Sequence, residues 1–189
     1  MHDLDSSAHA LQDVEDFLGD RMIVSTDMLI DTVDDQDNVI GTIKRSDALR
    51  QHANFRVVHL LLFNHEGKLL LQQLAYTRER HPGAWGSSVA AYVRSGESYR
   101  QAAQRRLLQE LGITTSLDDL GKTSMIDEAS KKFITVYAGT TDGPFAYDHD
   151  HIAQLDYREI ADVNALQASG ARTFTPTFLH VLNFYQALR

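Results

Sequence analysis

Runs of apolar residues broken by polar turns organise the chain from residue 28 onward. MLIDTV (28–33) and VIGTI (39–43) flank DDQDN, which predicts strand, turn, strand. SDALRQH (46–52) predicts a short helix capped by Ser46. FRVVHLLLF (55–63) is the most apolar stretch and predicts a central strand; after the turn NHEGK, LLLQQLA (69–75) predicts its antiparallel return. HPGAWG (81–86) breaks the pattern before SSVAAYV (87–93) resumes an extended segment. In SYRQAAQRRLLQEL (98–111) the apolar spacing becomes helical, and Gly112 supplies a C-cap. KTSMID (122–127), KKFITVYAG (131–139) and HIAQLDY (151–157) predict three more strands. REIADVNALQAS (158–169) predicts a helix stopped by Gly170, and Pro176 opens a terminal helix, TFLHVLNFYQAL. Ahead of all these, SAHALQDVEDFL (7–18) sets Leu11, Val14 and Leu18 at helical spacing, an amphipathic arm within 1–27. The order of strands, helix, strands and helices predicts an α/β or α+β sandwich on a mixed sheet, in one domain over 28–189.

Composition narrows the class. A chain of 189 residues, 43 % of them apolar, buries a full core and is too apolar for disorder. It has no cysteine, which excludes a disulfide scaffold, cysteine-ligated zinc or iron–sulfur, and a cysteine nucleophile. No apolar run approaches the roughly 20 residues of a membrane helix. The acidic N-terminus lacks the basic and apolar regions of a signal peptide. The expectation is a soluble, cytoplasmic protein without a membrane partner.

Charge adds a local signal. The net charge of −8 argues against non-specific nucleic-acid binding. Yet residues 78–106 carry six arginines (78, 80, 94, 100, 105, 106) against Glu79 and Glu97, a local charge of +4. Such an island suits a small anionic ligand, or a solvated arginine face. On the helix over 98–111, Tyr99, Ala103, Leu107 and Leu111 form an apolar stripe, and Arg106 and Glu110 fall inside its arc. Charges on a packed face need partners. Periodicity leaves two readings open: an ion pair that fixes the helix, or a carboxylate and a guanidinium facing a cleft.

The segment AAYVRSGESYRQAAQRRLLQELGI resembles a Nudix box, with Glu97, Arg105, Leu107, Glu110, Gly112 and Ile113 matching in type and spacing. HPGAW upstream, and two strands then two helices downstream, extend the resemblance over roughly 28–189. It implies a Nudix-type α/β/α sandwich with a mixed, partly antiparallel sheet. It also implies a small-molecule diphosphate as ligand and Mg²⁺ or Mn²⁺ as cofactor. Three box positions depart: Ala91 replaces the opening glycine, Arg106 a glutamate, and Gln109 the first of the paired glutamates. In Nudix hydrolases those carboxylates hold the metal, and hard cations need several oxygens with charge.

The run Gly-Glu-Ser, Arg-Arg, Glu-Leu-Gly is similar to the box of type I isopentenyl-diphosphate isomerases. His52 and His59, seven apart, are similar to that group's paired metal histidines. Its catalytic cysteine falls on Ala90, its third metal histidine on Tyr92, and its downstream glutamates near Ser130 and Lys132.

The resemblance implies Glu97 and Glu110 as catalytic and metal-binding residues, with His52 and His59 as further metal ligands. Arg78, Arg105, Arg106 and Trp85 would bind substrate, Arg78 and Arg106 by meeting phosphate charge. For each there is a plain alternative: Glu97 pairing with Arg105, Glu110 with Arg106, Trp85 in the core, and DHDHI (148–152) as a solvated turn. The function expected is a divergent hydrolase of nucleoside or isoprenoid diphosphates. The alternatives are an isomerase-like enzyme and a non-catalytic diphosphate-binding protein, with a homodimer an open expectation.

Overall fold

A computed structural model describes residues 28–189, so the expected helical arm within 1–27 lies outside the described residues. β1 (Leu29–Val33) and β2 (Val39–Lys44) form an antiparallel ribbon, closed where Asp34 accepts backbone hydrogen bonds from Gln36 and Asn38. The short helix α1 (Arg45–Ala48) starts at Arg45, with Lys44 at its N-cap and no side-chain capping bond; the expected Ser46 cap is not used. β3 (Phe55–Phe63) is the central strand. It lies parallel to β8 (Ser130–Thr140) along its whole length, and β8 pairs antiparallel with β7 (Asp118–Asp127).

The expected β3–β4 hairpin is opened up. β4 (Leu69–Leu74) meets β3 only at Phe63 and Leu69, then pairs with β9 (Ile152–Arg158) and with the short β5 (Trp85–Gly86). β6 (Val89–Tyr92) takes the vacated side of β3, with His59 opposite Ala90 and Val57 opposite Tyr92. Ser88 bridges the fork: its hydroxyl accepts from Leu62 N–H at 2.8 Å and donates to the Leu70 carbonyl at 2.7 Å. Those two buried backbone groups would otherwise be costly to leave without partners.

Period-two alternation along β3 sorts the core into two layers. Val58, Leu60 and Leu62 pack on α2 (Tyr99–Leu111) through Ala102, Ala103, Leu107 and Leu111. Phe55, Val57 and Leu61 face α3 (Ile160–Ala168) and α4 (Pro176–Ala187) through Val163, Phe178, Val181 and Leu182. This is the expected α/β/α sandwich. α2 is defined at both ends: Ser98 and Gln101 form a reciprocal capping box, and Gly112 closes the helix at φ 68. Among the described residues no helix is long and apolar enough to cross a membrane.

Candidate active site around the α2 loop

The loop into α2 is held from both sides. Glu97 accepts from Arg105 Nε at 2.7 Å and from an Arg105 terminal nitrogen at 2.9 Å, and also from the Arg94 backbone N–H at 2.9 Å. From β1, buried Asp31 accepts from the Ser95 hydroxyl at 2.6 Å and from Gly96 N–H at 3.2 Å. The ribbon turn adds a second clamp. Asp37 accepts from Arg56, Lys122 and the Tyr99 hydroxyl. Burial alone would push its carboxyl up, but those three donors together hold it below the usual carboxylate range.

One turn before the end of α2, Arg106 donates to Glu110 Oε1 at 2.5 Å. Glu110 is only 4 % exposed. With the Gln72 amide assigned so that its nitrogen faces these acceptors, the other Glu110 oxygen accepts from that nitrogen at 3.3 Å, and the same nitrogen donates to the Ser88 carbonyl at 3.0 Å. The packed-face position of Glu110 thus places it at the fork between β3 and β4.

Arg78 stands beside this pair, within electrostatic reach of Glu110, Arg106 and Arg45. Burial holds its guanidinium below the ordinary arginine value; Glu110 opposes that shift, while Arg106 and Arg45 add to it. The Arg78 backbone N–H donates to the Ala75 carbonyl at 3.1 Å, but its guanidinium makes no hydrogen bond or ion pair among the described residues. Arg45 lies over the Tyr92 ring at 5.5 Å. Arg106 is thus paired with Glu110, Arg78 is within electrostatic reach of both and of Arg45, and Arg45 lies against an aromatic face.

The other expected site residues fall elsewhere. Arg105 is committed to Glu97, Gln109 and the Tyr92 carbonyl. Arg80 is tied to Asp127 and Glu128, each at 3.1 Å. Trp85 is 6 % exposed and stacked under Arg172 at 4.1 Å, so its ring serves the core and does not wall the cleft. His52 and His59 do not share a site. His52 is exposed and bonds the Glu128 carbonyl. His59 is buried on the α4 face of β3, bonded to the Ser87 hydroxyl at 2.8 Å. Burial, reinforced by the charge of Lys132 and by His180, pushes its pKa down to about 3. In DHDHI, Asp148 accepts from Asp150 N–H and pairs with His151 at 2.7 Å, and the turn is tied to its surroundings by the Asp148 N–H donating to the Glu110 carbonyl at 3.2 Å and the His151 carbonyl accepting from Ala75 N–H at 2.9 Å.

Two features escaped the sequence reading. Arg45 lies more than thirty residues before Arg78, and only the packing of α1 against the Tyr92 ring brings it to the cleft. Lys132 is buried on the α4 face, donating to Asp127 at 2.7 Å and to the Thr177 hydroxyl at 3.0 Å. Burial depresses its ammonium, with Asp127 offsetting part of the shift. Phe55 opposite Lys132 and His59 opposite Ala90 put the isomerase-like positions on the α4 face of the sheet. Arg106, Glu110 and Gln72 belong to the α2 side.

Among the described residues no three His, Asp or Glu side chains are grouped so as to hold a metal ion. Glu110 and Glu97 each have both oxygens engaged by nitrogen donors, and Arg106 puts positive charge at a carboxylate position of the box. This donor set does not fit a protein-held divalent ion, which needs several free oxygens.

Comparison with known proteins places the fold and the chain. An uncharacterized Nudix hydrolase of Pseudomonas aeruginosa is 28 % identical over 158 residues, covering 83 % of this chain and 92 % of that one. An isopentenyl-diphosphate Delta-isomerase of Nocardia farcinica is 29 % identical over 167 residues, covering 85 % and 95 %. The crystal structure of the DR0079 protein of Deinococcus radiodurans superposes with a TM-score of 0.74 at 26 % identity, covering 82 % of this chain and 97 % of that one. The NUDIX domain of Shewanella oneidensis NrtR, crystallised with ADP ribose, shares the fold with a TM-score of 0.57 at 16 % identity, covering 77 % and 98 %. The family described as the NUDIX domain matches residues 53–178, and with the box, the capped α2 and the sandwich all in register, the chain belongs to the Nudix superfamily.

Proposed function

We propose that the chain binds a small molecule through its diphosphate group, at the fork between β3 and β4 beside the N-terminal loop of α2. The observation that carries this reading is Arg78: a half-buried guanidinium without a partner among the described residues, set beside Arg106 and Arg45. A desolvated cation of that kind is costly unless an anion completes it. Diphosphate oxygens match the fork of guanidinium donors. Tyr92, with one face toward Arg45, borders the place where the rest of the ligand would lie.

Hydrolysis of a phosphate anhydride is the second reading. Glu110 keeps its register in the box, and relatives carry the name Nudix hydrolase. In that reaction water attacks a phosphorus and the P–O–P bond breaks. Members of the family generally use divalent metal ions, and Mg²⁺ or Mn²⁺ was the expectation from the box. The side chains present do not fit that ion. The isomerase reading has less support. Ala90 replaces the cysteine, and Lys132 is committed to Asp127 and Thr177, which leaves no acid and base among the described residues placed across an alkene.

Phosphorus NMR tests the choice. The full chain is mixed with ADP-ribose, nucleoside di- and triphosphates, and isopentenyl diphosphate, with and without Mg²⁺ or Mn²⁺. The expected result is a shifted or broadened ligand signal with the P–O–P bond intact. Cleavage of any compound would establish the hydrolase reading, and movement of the isopentenyl double bond in proton spectra would establish the isomerase.

A further inference from the structure

We propose that this site takes up its ligand's diphosphate without any divalent ion, the guanidiniums of Arg106, Arg78 and Arg45 supplying the positive charge that a metal would bring. This rests on the reading that the fork binds a diphosphate.

The argument is one of charge and of occupied lone pairs. A divalent ion held by the box needs carboxylate oxygens that are free and a local potential that is negative. Here Glu110 gives one oxygen to Arg106 and the other to Gln72. Glu97 gives both of its oxygens to Arg105, and one of them also to the Arg94 N–H. Arg106 is matched by Glu110, whereas Arg78 feels two like charges, Arg106 and Arg45, against one opposite charge, Glu110, so the local sum is positive and favours an anion over a cation. Arg106 also has a competitor in place. A phosphate oxygen entering the cleft exchanges with Glu110 for the Arg106 donors, while Gln72 keeps hold of the carboxylate. Glu110 in this site weakens ligand binding, whereas a metal-binding glutamate would support it.

That reversal of sign is the test. Inorganic pyrophosphate is titrated into the full chain by calorimetry, in EDTA and again with Mg²⁺ or Mn²⁺. The proposal expects binding in EDTA that the metals do not strengthen. It expects Arg78→Gln to weaken binding about tenfold or more, as for the loss of a charged hydrogen bond. It expects the near-isosteric Glu110→Gln to tighten binding, by roughly threefold to tenfold. Binding seen only with metal, or made at least tenfold tighter by metal, would overturn the proposal, as would loss of binding in Glu110→Gln with an unchanged circular dichroism spectrum. If Glu110→Gln does not fold, the EDTA titration of the unmodified chain decides alone. No pyrophosphate binding in any buffer would overturn the diphosphate reading itself.

Discussion

Arg106 reaches one turn along α2 to donate to Glu110 at 2.5 Å, tying a partly exposed guanidinium to a carboxylate that is nearly sealed from solvent. The pair is asymmetric: removing the arginine strands a buried negative charge, whereas removing the charge of the glutamate leaves an arginine that water still reaches. Arg106→Ala is expected to destabilise the fold by about 3 kcal/mol. Glu110→Gln should cost clearly less. Urea denaturation of both variants checks the order, and equal losses would show that Glu110 is hydrated more than its burial implies.

The end of α2 is a second sensitive point. Gly112 has φ 68, and a Cβ there would meet Ala146 Cβ at 3.0 Å and the Ala146 carbonyl oxygen at 3.1 Å. Gly96, with φ 76, has open space around its missing Cβ. Both substitutions to alanine incur the left-handed backbone penalty, about 1 kcal/mol. Only Gly112→Ala adds a collision with backbone. The expected ranking in thermal denaturation is wild type, then Gly96→Ala, then Gly112→Ala, and a Gly112→Ala variant as stable as Gly96→Ala would contradict it.

His59 makes stability depend on acidity. In the fold its pKa is pushed down from 6.5 to about 3, first by burial and then by Lys132 and His180. Well above pH 6.5 the group is neutral in both states and contributes no slope. Below 6.5 the unfolded chain takes up a proton that the folded chain refuses, so stability falls as pH drops toward about 3. At pH 5 this loss amounts to roughly 2 kcal/mol. His59→Gln should flatten this part of the stability profile relative to the unmodified chain. Parallel profiles between pH 7 and pH 4.5 would mean that His59 is protonated in the fold.

Asp31 fastens the loop ahead of α2 from outside the box. It accepts from the Ser95 hydroxyl and from Gly96 N–H, and no other described residue bridges β1 to that loop through a carboxylate. Asp31→Ala is expected to cost about 1–2 kcal/mol globally. The clearer readout is local: hydrogen exchange at Gly96 should accelerate more than exchange in β3. Equal acceleration at both would mean the loop opens only with the whole domain.

The sequence determined most of the scaffold. β3 falls on the predicted boundaries because a nine-residue run with seven apolar residues has no other place than the middle of a sheet. α2 starts and stops where its own residues cap it, since Ser98, Gln101 and Gly112 act within one turn of the backbone they satisfy. Its wheel also placed Glu110 and Arg106 on the packed side, and the box spacing placed Glu97 beside Arg105. These are local relations, set by interactions between residues a few positions apart.

The tertiary structure decided how those pieces meet. Nothing in LLLQQLA announced that β4 would leave β3 after one bridge, because strand pairing is a competition among partners and β6, β8 and β9 are distant in sequence. That fork is what admits Gln72 to Glu110 and brings Arg78 beside it. The same packing separated His52 from His59, whose spacing along the chain had suggested a shared site, and it carried Trp85 into the core under Arg172. Charge at the cleft is a sum over residues from α1, the β4–β5 loop and α2. Such a sum depends on distances through space, and only the folded chain sets those.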